Sequence, residues 1–347
     1  MRQINLGRSD IMVSEWCLGT MTYGNQTSQD DAHAQMDRAL DAGISFWDTA
    51  EMYPVNPVRA ETVGRSEEII GAWFAKSGRR ADVQIATKVA GPNPNFVRAG
   101  RGYDGKIIRD TVDLSLRRLQ TDVIDLYQLH WPERGSYMFR QNWTYDPSKQ
   151  DPATTQAHMD DVLGAMADIV ASGKVRSFGL SNESCWGTTR WIDRASVTGG
   201  PRVAAVQNEY SLMCRLYDTD MAEMAVNEGV TLLAFSPLAA GLLTGKYQND
   251  AVPAGSRMEL NGDLSGRKTT RAFAAVAAYH DLAAAHGMDP VHMALAWHRT
   301  RPFASCPIFG ATSVAQLDRI LAGVEVVLPA ELIAALDSLH RVNPMPY

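Results

Sequence analysis

The chain has 347 residues, 45% of them apolar and 21% charged, with 39 acidic against 33 basic side chains and a formal net charge of −6. That balance is ordinary for a globular protein and excludes a disordered chain, a collagen-like one and a disulfide scaffold. The acidic sign argues against nucleic acid as a partner, because non-specific binding needs a basic surface to neutralise phosphates.

The length allows one large domain or two ordinary ones. No Gly-, Pro- or Ser-rich linker marks a boundary, so residues 1–347 read as one domain. The four cysteines at 17, 185, 214 and 306 form no CxxC pair, and Met1 to Glu15 carries Arg2, Arg8 and Asp10 with no apolar leader segment. Both features predict a cytoplasmic chain with reduced thiols. The longest apolar stretch, Gly229 to Gly245, contains Ser236 and Pro237 and is short for a span; it reads as a buried strand plus a loop, with no membrane insertion. Homo-oligomerisation is left open.

Along the chain, short apolar runs alternate with amphipathic segments. Ile4 to Gly7 and Ile11 to Val13, joined by a polar turn, predict a hairpin. Strands are then expected at Ser14–Leu18, Ile44–Trp47, Val83–Thr87 and Val123–Leu129, with four more ending near Leu180, Val206, Phe235 and Ile308. Several are continuous apolar runs, as in parallel strands buried on both faces. Ile108, Val112, Leu116 and Leu119 repeat at helical spacing; Asp289-Pro290 opens a helix, and Pro329 opens another carrying Leu332, Leu336 and Leu339. Eight strand–helix repeats predict an α/β fold, a (β/α)8 TIM barrel with an N-terminal β-hairpin; the alternative is an open doubly wound sheet. Two long connections, Ala90–Lys106 and Trp131–Thr155, lack periodicity and hold Tyr103, Trp131, Tyr137, Phe139, Trp143 and Tyr145 in or beside them. In a barrel both leave the C-terminal strand ends, where active sites sit.

Polar residues close otherwise apolar runs: Asp48 after Ile44–Trp47, with Tyr53 five residues on, Lys88 after Val83–Thr87, and His130 after Val123–Leu129. Parallel strands bring these endings to one face. A phenol is a poor acid at neutral pH, and a nearby ammonium is expected to lower its pKa toward the working range. Asp48 is expected to hold Lys88 charged and in place, and His130 to orient a substrate oxygen.

These residues resemble the Asp–Tyr–Lys–His tetrad of the aldo-keto reductases. Leu18-Gly19-Thr20-Met21, Arg118-Leu119-Gln120-Thr121-Asp122, Gly179-Leu180-Ser181-Asn182, Gln207-Asn208, Phe235-Ser236-Pro237-Leu238 and Gly310-Ala311-Thr312-Ser313 are similar to further family motifs, from about Leu6 to Leu339. Glu51-Met52-Tyr53-Pro54 and His130-Trp131-Pro132, with the insert that follows, resemble the bacterial Tas-type branch, which is related to potassium-channel β subunits. The resemblance implies reduction of a small-molecule aldehyde or ketone by NADPH, with Tyr53 as general acid and Asp48, Lys88 and His130 completing the catalytic set.

No GxGxxG is present, and Gly241 to Lys246 departs from a phosphate-binding P-loop in glycine spacing and at Tyr247. The resemblance instead assigns NADPH/NADP+ to the barrel mouth. Gly19, Thr20, Met21 and Asp48 lie along it; Ser181, Asn182 and Gln207 face the nicotinamide carboxamide and Phe235 stacks on the ring. Ser236, Pro237, Leu238 and Gly241 follow the pyrophosphate, Lys246 and Arg257 pair with the 2′-phosphate, and Gly310, Thr312 and Gln316 hold the adenosine. Where many family members have Glu-Asn at the adenine, this chain has Arg319 and Ile320, which adds a cation near the phosphate. Tyr23, Tyr53, His130 and Trp131 are expected at the substrate, pointing to an apolar or aromatic carbonyl compound.

Two other functions compete. A metal-dependent barrel hydrolase needs clustered ligands, and the eight histidines form neither HxH nor HExxH. A cofactor-binding regulatory subunit, like the channel β relatives, would keep the nucleotide site and use an outer face for its partner.

Overall fold

The computed structural model describes residues 1–347. The expected hairpin is formed by β1 (Gln3–Asn5) and β2 (Met12–Ser14), antiparallel, with Ile4 opposite Val13. Eight further strands follow: β3 (Cys17–Gly19), β4 (Phe46–Asp48), β5 (Gln84–Val89), β6 (Ile124–Leu129), β7 (Val175–Ser181), β8 (Val203–Glu209), β9 (Thr231–Phe235) and β10 (Ser305–Phe309). Each runs parallel to the next, and β10 returns to pair with β3, which closes the barrel and removes the open-sheet alternative.

The helices are α1 (Gln29–Asp41), α2 (Arg65–Ser77), α3 (Gly105–Leu119), α4 (Pro152–Ala171), α5 (Cys185–Thr198), α6 (Asp220–Glu228), α7 (Arg257–Leu260), α8 (Thr270–Ala285), α9 (Pro290–Trp297), α10 (Val314–Leu321) and α11 (Ala330–Val342). Their starts follow local chemistry. Asp289 accepts the backbone N–H of Val291 at 2.7 Å ahead of Pro290, and Pro329 precedes α11, as predicted. The two long loops end earlier than expected, at Asp104 and Asp151, because each carboxylate caps the helix behind it, accepting from Ile107 and from Ala153 and Thr154.

Side-chain parity along the strands sorts the core. Cys17, Phe46, Ala86, Leu126, Ala205, Leu233, Cys306 and Ile308 form one buried cluster inside the barrel, while the alternate residues Leu18, Trp47, Ile85, Tyr127, Leu180 and Val206 pack outward under the helices. The hairpin side chains Leu6, Ile11 and Val13 join the inner cluster, so the hairpin plugs the N-terminal end. Gly7 lies against the backbone of Ala204, where a Cβ would come within 2.3 Å of its carbonyl oxygen; only glycine allows that approach. No helix is long and apolar enough to cross a membrane.

The plug generates a test. Leu6 is wholly buried, so Leu6→Ala should cost about 2–5 kcal/mol in urea unfolding, whereas Met12→Ala on the exposed side of the hairpin should stay within about 0.5 kcal/mol.

Candidate active site

The strand ends converge as predicted. On five of the strands the inward residue above the apolar layer is polar or glycine: Gly19 after Cys17, Asp48 after Phe46, Lys88 after Ala86, Gln128 then His130 after Leu126, and Gln207 after Ala205. Lys88 is wholly buried; its Nζ donates to Asp48 Oδ2 at 2.6 Å, to the Thr49 carbonyl at 2.7 Å and to the Tyr53 hydroxyl at 3.4 Å. The other Asp48 oxygen accepts from Gln207 Nε2 at 2.8 Å and Gln128 Nε2 at 3.3 Å. A buried ion pair without these extra donors would gain little over its desolvation cost. Here each charged group is bonded on several sides.

Electrostatics fix the protonation states. Burial pushes the Tyr53 phenol up; the Lys88 ammonium pulls it down, but the Asp48 carboxylate opposes that pull and the net direction is upward. The expectation that Lys88 brings the phenol toward the working range is thus corrected, because a dehydrated phenol pays more for its charge than one ammonium returns. Tyr53 is a neutral O–H donor at pH 7. Burial also works against the Lys88 charge, yet Asp48 and Tyr53 carry its pKa above that of an ordinary lysine. Burial and then the charge of Lys88 hold His130 well below the usual imidazole range, so the ring is neutral.

Tyr53 and His130 stand edge to face with ring centroids 5.7 Å apart, and His130 packs on Trp131 at 4.8 Å. Around them, Ala50, Met52, Ala90 and Val97 form a small buried apolar cluster with Met21, Val55, Phe96 and Trp131 against it. Trp131 donates its indole N–H to the Pro92 carbonyl at 2.8 Å, which ties the two long loops together at the mouth. Tyr23 does not join them. It is wholly buried, with its hydroxyl directed at Gln35 of α1, and packs in the shell between barrel and helices.

The residues expected at a nucleotide divide into groups. Ser181 donates to the Gln207 carbonyl at 2.8 Å, and Asn182 Nδ2 donates to the His130 carbonyl at 2.9 Å. Asn182 Oδ1 and His130 Nδ1 are buried with no partner. Gln207 is turned to Asp48 rather than left free, and Thr20 is wholly buried, its hydroxyl on the Asp48 carbonyl. Phe235, Ser236, Leu238, Gly241 and Lys246 are half-buried on the segment after β9, with Pro237 buried among them. Ser236, Ala239, Ala240 and Gly241 all have positive φ, a run of left-handed residues that curls the backbone.

Lys246 and Arg257 have no acidic partner: Lys246 lies over the Tyr247 ring, and the closest polar contact of Arg257 is Met21 Sδ at 3.6 Å. Burial and the neighbouring Arg267 depress the Arg257 pKa. Gly310 and Gln316 are exposed and Thr312 half-buried, with Thr312 bonded to Gln316 Oε1. Arg319 is not a free cation: Asp289 holds it through two bonds at 2.8 and 3.0 Å, and Ile320 is buried in the core.

Several residues at the mouth escaped the sequence reading. Gln128 sits two before His130 along the same run, so the period-2 rule gives it; Glu209, two after Gln207 on β8, follows from the same rule. Arg98, Arg140 and Arg267 carried no local signal, because their partners Glu51 and Glu209 are distant in sequence.

His130 generates a pH test. Its folded-state pKa lies below the unfolded value near 6.5, so the contribution of the neutral ring is full above that pH, begins to fall below it and is gone once pH passes the depressed folded value. Relative to a His130→Gln variant, the native chain should lose up to about 1.4 kcal/mol of stability per pH unit between roughly pH 6.5 and 5.5, read by urea unfolding.

Comparison with known proteins accounts for this arrangement. The family model described as aldo/keto reductase family matches residues 15–341. The chain is 42% identical to Protein tas of Escherichia coli (strain K12), over 100% of this chain and 99% of that protein. It is 34% identical to the uncharacterized oxidoreductase YrpG of Bacillus subtilis (strain 168), over 98% and 96% of the two chains. It is also 30% identical to a probable voltage-gated potassium channel subunit beta of Arabidopsis thaliana, over 99% and 96%. With the family model spanning nearly all of the barrel and Protein tas matching end to end, the chain belongs to the aldo/keto reductase family, in its Tas-type branch.

Proposed function

We propose that the protein is an oxidoreductase that uses NADP(H) to reduce an aldehyde or ketone to an alcohol, with Tyr53 as the general acid. The observation that carries this reading is the Tyr53–Lys88–Asp48 chain of contacts, a neutral buried phenol backed by a charged ammonium at the floor of an apolar mouth. The single domain assigned to residues 1–347 and the site residues named above, Tyr23 excepted, belong to the same proposal.

The residues fit a nicotinamide dinucleotide. Asn182 Oδ1 is a buried acceptor without a donor, which a carboxamide N–H would satisfy. Lys246 and Arg257 are cations without carboxylates, as a phosphate monoester needs, with Arg257 held beside Met21. Phe235, half-buried at the end of β9, offers a ring face, and the curled backbone from Ser236 to Gly241 offers N–H groups to a diphosphate. Gly19, Thr20, Pro237 and Leu238 shape the floor and wall of that groove, while Gly310, Thr312 and Gln316 form its outer end. When bound, the nicotinamide supplies the hydride.

This chain's residues handle the proton and the charge. A carbonyl oxygen placed between Tyr53 and His130 meets an O–H donor and a neutral imidazole. As negative charge develops on that oxygen, Tyr53 passes its proton to it, and the phenolate left behind is stabilised by Lys88 at 3.4 Å. Asp48 keeps Lys88 charged and in position throughout. Trp131, Met52, Val55 and Phe96 exclude water and favour an apolar or aromatic group on the substrate.

Tyr53→Phe should lower turnover of an aromatic aldehyde such as 4-nitrobenzaldehyde by about 100- to 1,000-fold and leave the NADPH fluorescence titration unchanged. Retention of native rates by this variant on every carbonyl tested would sink the assignment. Lys88→Met should also lose turnover but strands the Asp48 charge, at a cost of about 3–5 kcal/mol; the double variant Asp48→Asn/Lys88→Met separates that stability loss from catalysis. Arg257→Met should weaken NADPH by about tenfold or more while leaving NADH binding nearly unchanged. NADPH binding with no turnover on any carbonyl would instead favour a cofactor-binding regulatory subunit; the Arabidopsis relative is named as a probable potassium channel subunit beta.

A further inference from the structure

Three polar contacts fasten the long connection after β6 to the ends of β7 and β8. Arg134 pairs with buried Glu183, Ser136 Oγ donates to the Asn182 carbonyl at 2.8 Å, and Arg140 Nη1 donates to Glu209 Oε2 at 2.9 Å. The third differs from the others because its carboxylate is shared. Glu209, the last residue of β8, also accepts Arg267 Nε at 2.9 Å on its Oε1, with the Tyr347 hydroxyl 3.3 Å from the same atom. Both guanidinium groups and the carboxylate are largely buried, Arg267 at 5% and Glu209 at 6% side-chain exposure. One negative charge thus serves two positive ones, and the cluster carries an uncompensated cation.

That excess lies beside the nucleotide groove. Arg267 Nη2 is 3.5 Å from Ser236 Oγ, and Ser236 begins the left-handed run that curls the segment after β9. Glu209 pairs in register with Phe235. On the other side, Arg140 follows Phe139, whose ring meets Trp131 edge to face at 6.1 Å. A single carboxylate therefore joins the wall of the carbonyl pocket to the edge of the diphosphate site.

We infer that Glu209 is a positioning residue that couples the two sites, with Arg267 a ligand for the diphosphate. The inference rests on the NADP(H) reading above. A diphosphate arriving at Ser236 draws the Arg267 guanidinium away from Glu209, and Glu209 is then left with Arg140 as its one charged partner beside the Tyr347 hydroxyl. Arg140 is held more firmly, and with it the part of the loop that carries Phe139 against Trp131. Removing Arg140 has the reverse effect, because Arg267 keeps Glu209 to itself and is less available to phosphate. Removing the Glu209 charge frees Arg267 for phosphate and unties the loop.

These signs separate coupling from simple damage to the fold. In NADPH fluorescence titrations of the full chain, Arg267→Met should weaken binding by about tenfold, Arg140→Met by roughly three- to tenfold, and Glu209→Gln should tighten it by a few fold. Arg140→Met and Glu209→Gln should both raise KM for the carbonyl more than they lower kcat. Hydrogen exchange of residues 136–146 should slow on adding NADP+ to the native chain and stay unchanged in Arg267→Met. Weakening of NADPH by Glu209→Gln as well as by Arg140→Met, or native NADPH affinity in Arg267→Met, would overturn the coupling. Should Glu209→Gln fail to fold, Arg140→Met still decides, since unchanged NADPH affinity there overturns the inference. A native chain that binds no NADPH overturns the cofactor reading itself, an outcome distinct from either variant result.

Discussion

The ion pair between Lys88 and Asp48 is the constraint around which the mouth is built. Both groups are buried, and burying a charge is costly unless it is paired and hydrogen-bonded. The surrounding structure answers with donors and acceptors from four places: the Thr49 carbonyl and the Tyr53 hydroxyl on Lys88, and the Gln128 and Gln207 amides on Asp48. Satisfying the pair therefore fixes the ends of β4, β5, β6 and β8 relative to one another. The same placement keeps an ammonium next to the phenol while the phenol itself stays neutral, so one interaction serves both the architecture and the proposed proton transfer.

A second pattern surrounds the first. Buried carboxylates near the strand ends each capture an arginine from a distant segment: Glu51 takes Arg98, Glu183 takes Arg134 and Glu209 takes Arg140 and Arg267. Planar guanidinium groups bond several acceptors at once, and Arg98 also binds the carbonyls of Ala90 and Gly102. Loops without regular structure are thereby held in fixed positions over a rigid barrel, which is what a binding mouth made of loops requires.

How much of this was legible follows from the range of each cause. Strand positions and the three polar endings could be read because parity and apolar runs are local properties, and Asp48, Lys88 and His130 lie within or one residue past their strands. Tyr23 misled because an aromatic in a loop gives no sign of which way its ring turns; here it enters the core beside α1. Arg319 looked like a free cation until α9 supplied Asp289, thirty residues earlier. The arginine–carboxylate fastenings were invisible for the same reason, since pairs such as Arg140 and Glu209 meet only once the barrel is closed. The phenol's direction of shift was misjudged because burial of Tyr53 is a product of the folded mouth and of no residue near it in sequence.

Barrel closure also bears on how the chain is made. β3 ends at Gly19, yet one of its edges is covered only by β10, which ends at Phe309. At ribosomal rates of about 5–20 residues per second, that edge waits on the order of 15–60 s for its partner. An unpaired apolar strand is a template for wrong pairing, within the nascent chain or with another. The hairpin that precedes β3 faces the same delay, since Gly7 docks on Ala204 and donates to Thr231 at 2.8 Å, both late arrivals. The N-terminal segment that seals the finished barrel is thus the first part synthesised and among the last to find its place, which makes early β3–β4–β5 intermediates a natural client for chaperones.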